Sequence, residues 1–184
     1  EVYDKYLHPD VLPINTDTQT WNTIQNASSL DLFQFDSEVG RQGAKKVKPK
    51  NMLEMSATNG LIRLMTTEKG TETWLERYVR FKNHPDQLEI EQNKYGLTVA
   101  EKEALNRYVG ETYGIGISQE QLMRSVMDAD ICNFSLKEAN TYRKIVSKKQ
   151  MTKIPQFREK VFSSASSKAM AQYVWDYIVS PSLG

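Results

Sequence analysis

The sequence predicts a mainly α fold, and three observations carry that prediction. First, it holds three capping boxes, Thr98-Val-Ala-Glu101, Ser118-Gln-Glu-Gln121 and Ser135-Leu-Lys-Glu138. In each, a hydroxyl and a carboxyl or carboxamide three residues on can satisfy the free N–H groups of a helix start. Second, apolar residues follow each box at helical spacing: Leu105 and Tyr108; Leu122, Met123, Val126 and Met127; Leu136, Ala139, Tyr142 and Ile145 or Val146. Third, strand character is confined to 113–117, Tyr-Gly-Ile-Gly-Ile, where two glycines among β-branched residues fit a short strand or a turn.

The remaining elements follow in order. Residues 1–16 show no period and read as extended or loop. Asp17 can cap a short helix through Trp21 and Ile24. Leu32-Phe-Gln-Phe35 reads as a buried connection, and we set a boundary at 35, with a helical region over 36–184. Asp36 or Ser37 can cap a helix running toward Val47, which Pro49 ends. Residues 50–65 are helix-like and interrupted or terminated near Asn59-Gly60. Trp74, Leu75, Tyr78, Val79 and Phe81 form an amphipathic helix. With Pro85 and mixed polarity, 83–97 reads as a loop or insertion. Helices near 152–162 and 166–179 close the chain, the last built on Met170, Tyr173, Val174, Tyr177 and Ile178.

Composition narrows the function classes. A chain that is 39% hydrophobic and 10% aromatic can fill a core. No apolar run approaches the roughly 20 residues of a membrane-spanning helix, and no signal-peptide pattern opens the chain. A single cysteine fits a reducing compartment, which we read as the cytoplasm. His8 and His84 stand far apart with no second ligand at metal spacing. Asp128 and Asp130 do not share a helix face and read as surface residues, not a metal pair. There is no phosphate-binding glycine loop.

The net charge of +1 hides an asymmetry. Residues 41–50 carry Arg41, Lys45, Lys46, Lys48 and Lys50 with no acid. Residues 137–160 carry Lys137, Arg143, Lys144, Lys148, Lys149, Lys153, Arg158 and Lys160 against Glu138 and Glu159. Such clusters suit an anionic partner; a solvated helix face is the alternative that charge alone leaves open. Within the second cluster, Arg143 and Lys144 lie about 100° apart on a helix, with Lys148 one turn beyond Lys144. A rigid helix bearing several cations toward one region suits a triphosphate or a phosphate backbone.

Ordered motifs add a resemblance. Phe33-Gln-Phe-Asp-Ser37, then Arg41 and Lys48-Pro49, resemble a segment and following helix of the C-family DNA polymerases, the alpha subunits of bacterial polymerase III and their phage relatives. Glu111-Thr-Tyr-Gly-Ile-Gly-Ile-Ser-Gln-Glu-Gln-Leu-Met123 resembles that family closely, as does Phe134-Ser-Leu-Lys-Glu-Ala139. Arg143-Lys144 fall where the family has paired arginines, and Lys148-Lys149 on its lysine run. Arg63 matches a family arginine, although Leu64-Met65-Thr66 replaces the motif that follows it. Gly70-Thr-Glu-Thr-Trp74 resembles the Gram-positive branch, a mosaic that suggests a divergent, phage-encoded member.

The resemblance implies the end of the palm and most of the helical fingers of a DNA-directed DNA polymerase. It implies nucleotide contacts from Arg143, Lys144 and Arg63, and primer–template contacts from Lys45, Lys46, Lys148 and Lys149. Gln119, Glu120 and Gln121 would orient the basic helix or cap their own. The partners are deoxynucleoside triphosphates, primer–template DNA and the remainder of the polymerase. The family's magnesium-binding palm aspartates are expected upstream of residue 1, so the fragment holds no catalytic residue and should not extend a primer alone. The competing reading is a helical nucleic-acid-binding or interaction domain without a catalytic role.

Overall fold

A computed structural model describes residues 5, 8, 11–12, 15–27, 32–64 and 71–183. Met65, Gly70 and most of the expected extended stretch 1–16 lie outside these. The chain divides into two compact units, Glu1–Arg63 and Leu64–Gly184. Among the described residues every regular element is helical.

The first unit holds α1 (Thr18–Gln25), α2 (Glu38–Val47) and α3 (Met52–Leu61). Asp17 caps α1, Ser37 caps α2 and Asn51 caps α3, each accepting backbone N–H groups of the first turn. Trp21, Ile24, Phe35, Ala44, Val47, Ala57 and Leu61 are buried. As expected from Asn59-Gly60, α3 ends one residue later, at Leu61, and tightens into a 3₁₀ turn, Ile62–Leu64. Gly40 is required by contact: a Cβ there would lie 2.2 Å from the Gln34 carbonyl oxygen.

The second unit holds α4 (Trp74–Asn83), α5 (Pro85–Tyr95), α6 (Val99–Val109), α7 (Gln119–Met127), α8 (Leu136–Ser147), α9 (Ile154–Ser164) and α10 (Lys168–Tyr173). The helix of α10 continues as a π-helix, Val174–Val179. The three expected capping boxes open α6, α7 and α8, and a fourth, Thr73 with Glu76, opens α4. Tyr78, Phe81, Leu105, Phe157, Met170, Tyr173 and Tyr177 are fully buried.

Two expectations are corrected by these elements. Residues 83–97 are not a loop, because Pro85 presets the first turn of α5 and Gly96, at φ +80°, accepts the left-handed conformation that ends it. The inward side of α5 is partly polar, with Gln92 buried and Glu91 accepting the Tyr177 hydroxyl at 2.7 Å, so its apolar period is faint. Nor is 113–117 a strand. Tyr113 (φ +51°) and Gly114 (φ +78°) turn the chain, and Gly116 N–H donates to the Tyr177 carbonyl of the π-helix, 2.8 Å away, where a strand would need an extended partner.

Candidate nucleic-acid interface

The basic helix α8 is fixed at both ends. At its start, Glu138 Oε2 accepts from Ser135 N (2.9 Å) and Ser135 Oγ (2.7 Å), while its Oε1 meets Lys160 Nζ of α9 at 2.9 Å. Lys160 and the Ser135 donors hold the Glu138 carboxyl down at about 2. Ala139, Ile145 and Val146 are buried; Leu136, expected on that face, is exposed at the first helical position. At the far end Lys149 takes φ +47°, and Gln150 N–H donates back to Ile145 O at 3.0 Å, reversing the chain into α9. Tyr142 stacks on buried Phe157 of α9, ring centroids 4.5 Å apart and 13° from parallel.

That packing separates two residues that the sequence puts side by side. Arg143 points to α7, where its Nη1 donates to Gln119 Oε1 at 3.0 Å. Lys144 points the other way, into a groove of about 380 Å³ that it shares with Lys148 and with Lys153 of the 3₁₀ turn Met151–Lys153. Arg143 and Lys144 thus meet different neighbours, while Lys144 and Lys148 share one groove, as their helical spacing suggested. Consecutive helical residues diverge by about 100°, and neighbours on opposite flanks of α8 capture one each.

The glutamine-rich start of α7 divides its work similarly. Gln121 caps its own helix, accepting from Ile117 N and Ser118 N, and its Nε2 donates to Tyr108 O and Thr112 Oγ1 (3.1 and 2.8 Å). Glu120 faces Arg124 at 3.6 Å. Gln119 alone of the three reaches α8. The turn before α7 is pinned from below, with Tyr173 Oη donating to Gly114 O at 3.0 Å.

Arg63 belongs to the first unit, where its Nη2 donates to Gln34 Oε1 at 3.1 Å. Gln34 takes φ +67°, aiming its side chain out of the turn before α2, a detail that sequence reading missed. Lys45 and Lys46 are exposed on the last turn of α2. Lys149 is exposed at the turn after α8. Asp128 and Asp130 converge on Arg107 (3.5 and 2.6 Å), and Asp128 also accepts the Tyr108 hydroxyl at 2.5 Å. Among the described residues no three His, Cys, Asp or Glu side chains form a group that could hold a metal. No helix among them is long and apolar enough to cross a membrane.

Comparison with known proteins places this arrangement. The model of the bacterial DNA polymerase III alpha subunit finger domain matches residues 2–169. The chain belongs to that family. It is 39% identical over 180 residues to the probable DNA polymerase YorL of Bacillus subtilis and, equally, to the DNA-directed DNA polymerase of Bacillus phage SPbeta. Each match covers 96% of this chain and 14% of the relative. The DNA polymerase III alpha subunit of Treponema pallidum is 27% identical over 168 residues, covering 89% of the chain and 13% of that protein. The finger-domain chain thus spans about a seventh of the curated relatives it matches.

Proposed function

We propose that this finger domain works in template-directed deoxynucleotide transfer, and that Arg143 neutralises the incoming triphosphate. The observation carrying this reading is the Arg143–Gln119 hydrogen bond at 3.0 Å. It fixes a guanidinium on a helix that is itself capped, ion-paired and stacked in place. When a primer hydroxyl attacks the α-phosphorus, negative charge builds on the leaving pyrophosphate. A cation already held in position stabilises that charge without reorganising. Gln119 acts as a positioning residue for Arg143. Arg63, oriented by Gln34, is a second nucleotide contact in this reading.

The lysines take the phosphate backbone. Lys45, Lys46, Lys148 and Lys149 would touch primer or template phosphates, contacts that position DNA without reading its sequence. Lys144 turns away from Arg143 and joins this group. The polymerase would take a divalent metal, magnesium, to activate the primer hydroxyl. Its ligands, as the family resemblance implies, would come from the palm and not from this chain. The chain's own part is charge and position, worked in the cytoplasm with the rest of the polymerase and the deoxynucleotides as partners.

Arg143→Ala and Gln119→Ala in the full-length polymerase test this. A charge-assisted contact is worth roughly 1.5–3 kcal/mol, so Arg143→Ala should lower steady-state incorporation by about one to two decades. Gln119→Ala should lose less, and Lys102→Ala should change nothing. Melting temperatures should stay with the parent's. Incorporation unchanged in Arg143→Ala would remove it from the active site, and a large drop in melting temperature would make it structural.

A further inference from the structure

Among the described residues, three capping boxes carry glutamate at the third helical position: Glu76, Glu101 and Glu138. The box of α7 carries Gln121 instead. As a cap either residue serves, since both offer an oxygen to the free N–H groups. On charge alone glutamate serves better, because an anion suits the positive end of a helix. The glutamine is explained by its nitrogen. Oε1 does the capping, accepting from Ile117 N at 2.9 Å and Ser118 N at 3.1 Å. Nε2 reaches out of the helix, donating to Tyr108 O of α6 at 3.1 Å and to Thr112 Oγ1 at 2.8 Å. The Thr112 hydroxyl gives its one proton to Ile115 O at 2.6 Å, so toward Gln121 it accepts. A carboxylate oxygen in place of Nε2 would face two acceptors with no proton to share. Tyr108 holds the other end of α7 as well, its hydroxyl donating to Asp128 at the C-cap. One residue of α6 therefore fixes both ends of α7, and Gln119, the first residue of α7, meets Arg143 from that frame.

We propose that Gln121 is a positioning residue for Arg143. It acts through Gln119, by fixing where the first turn of α7 stands against α6. The inference rests on the reading that Arg143 meets the triphosphate, and adds that its placement is set from a third helix. Without the Nε2 contacts the first turn of α7 is free to shift, and Gln119 shifts with it. A guanidinium that must reorganise before it meets developing charge stabilises that charge less.

The test is Gln121→Glu, in the full-length polymerase for kinetics and in the purified chain for spectroscopy. A residue that only caps predicts no loss, because glutamate fills that role in the other three boxes. A positioning residue predicts kcat for incorporation lower by about tenfold, with DNA affinity within about twofold of the parent's. Thr112→Val removes one acceptor of Nε2 without adding charge and should lower kcat about threefold. It keeps the test readable should Gln121→Glu unfold the start of α7. The double variant Gln121→Glu with Arg143→Ala should be no slower than Arg143→Ala alone, since both changes remove one interaction. In the chain, nitrogen relaxation of the Arg143 Nε–H should report greater mobility in Gln121→Glu and Thr112→Val. Normal incorporation in these two variants beside a slow Arg143→Ala overturns the inference and leaves the nucleotide reading intact. So does a double variant in which the two losses multiply. Incorporation unchanged in Arg143→Ala overturns the nucleotide reading instead. The Arg143 relaxation then supports the positioning if it changes and overturns it if it does not.

Discussion

The two basic segments of this chain look alike in sequence and differ in geometry. In 41–50, Lys45 and Lys46 stand exposed on the last turn of α2, whose buried side is small: Gly40, Gly43, Ala44 and Val47. In 137–160, the cations sit at a helix–turn–helix whose walls are joined by a stacked aromatic pair and an ion pair. There one guanidinium is tied to a glutamine and three ammoniums share a groove. A run of lysines is therefore a statement about composition. Whether it is a solvated face or a binding site depends on whether packing behind it brings the charges together.

Removing the packing should abolish the difference. Phe157 is fully buried, and Phe157→Ala deletes the ring on which Tyr142 rests. We expect a destabilisation of roughly 3–5 kcal/mol in urea unfolding. In conditions where the variant is still folded, oligonucleotide affinity should fall to the level of Lys148→Gln with Lys153→Gln. A destabilisation below about 1 kcal/mol would mean that the walls hold without the stack, and that the groove does not depend on it.

A salt titration sharpens the comparison more gently. Lys148→Gln with Lys153→Gln should cut oligonucleotide affinity about tenfold. The slope of log affinity against log salt should shrink by about 0.7 for each single-strand phosphate that is no longer neutralised. Lys45→Gln with Lys46→Gln should cost less, about threefold at low salt, because phosphate contacts made from an exposed face are more fully screened. Equal slopes for the two pairs would erase the distinction between face and groove.

The smallest effect concerns acid. The Glu138 carboxyl titrates at about 2 in the folded chain, against an ordinary 4.5. Its contribution is complete above the ordinary value and disappears as pH falls through the folded one. Melting temperature measured from pH 5 to pH 2 should fall less steeply in Glu138→Gln than in the parent. Since the side chain is half exposed, the change should be a modest share of the total acid-induced drop, and smaller still in high salt.

Much of the local structure was legible in the sequence because its causes are local. Ser118 with Gln121 and Ser135 with Glu138 satisfy helix starts within four residues, and Pro49 acts on its immediate neighbours. The ordered motifs from Phe33 to Lys149 likewise marked the family. What stayed hidden had long-range causes. Helix α5 carries Gln92 and Glu91 on its inward side, and Glu91 there accepts the hydroxyl of Tyr177, far along the chain. Residues 113–117 had strand composition but no strand to pair with. Arg143 and Lys144 are adjacent in sequence, and nothing local says that one will meet Gln119 and the other Lys153. The helical spacing sets them about 100° apart. Only the packing of α7 on one flank of α8 and of α9 on the other decided which cation is clamped and which joins the groove.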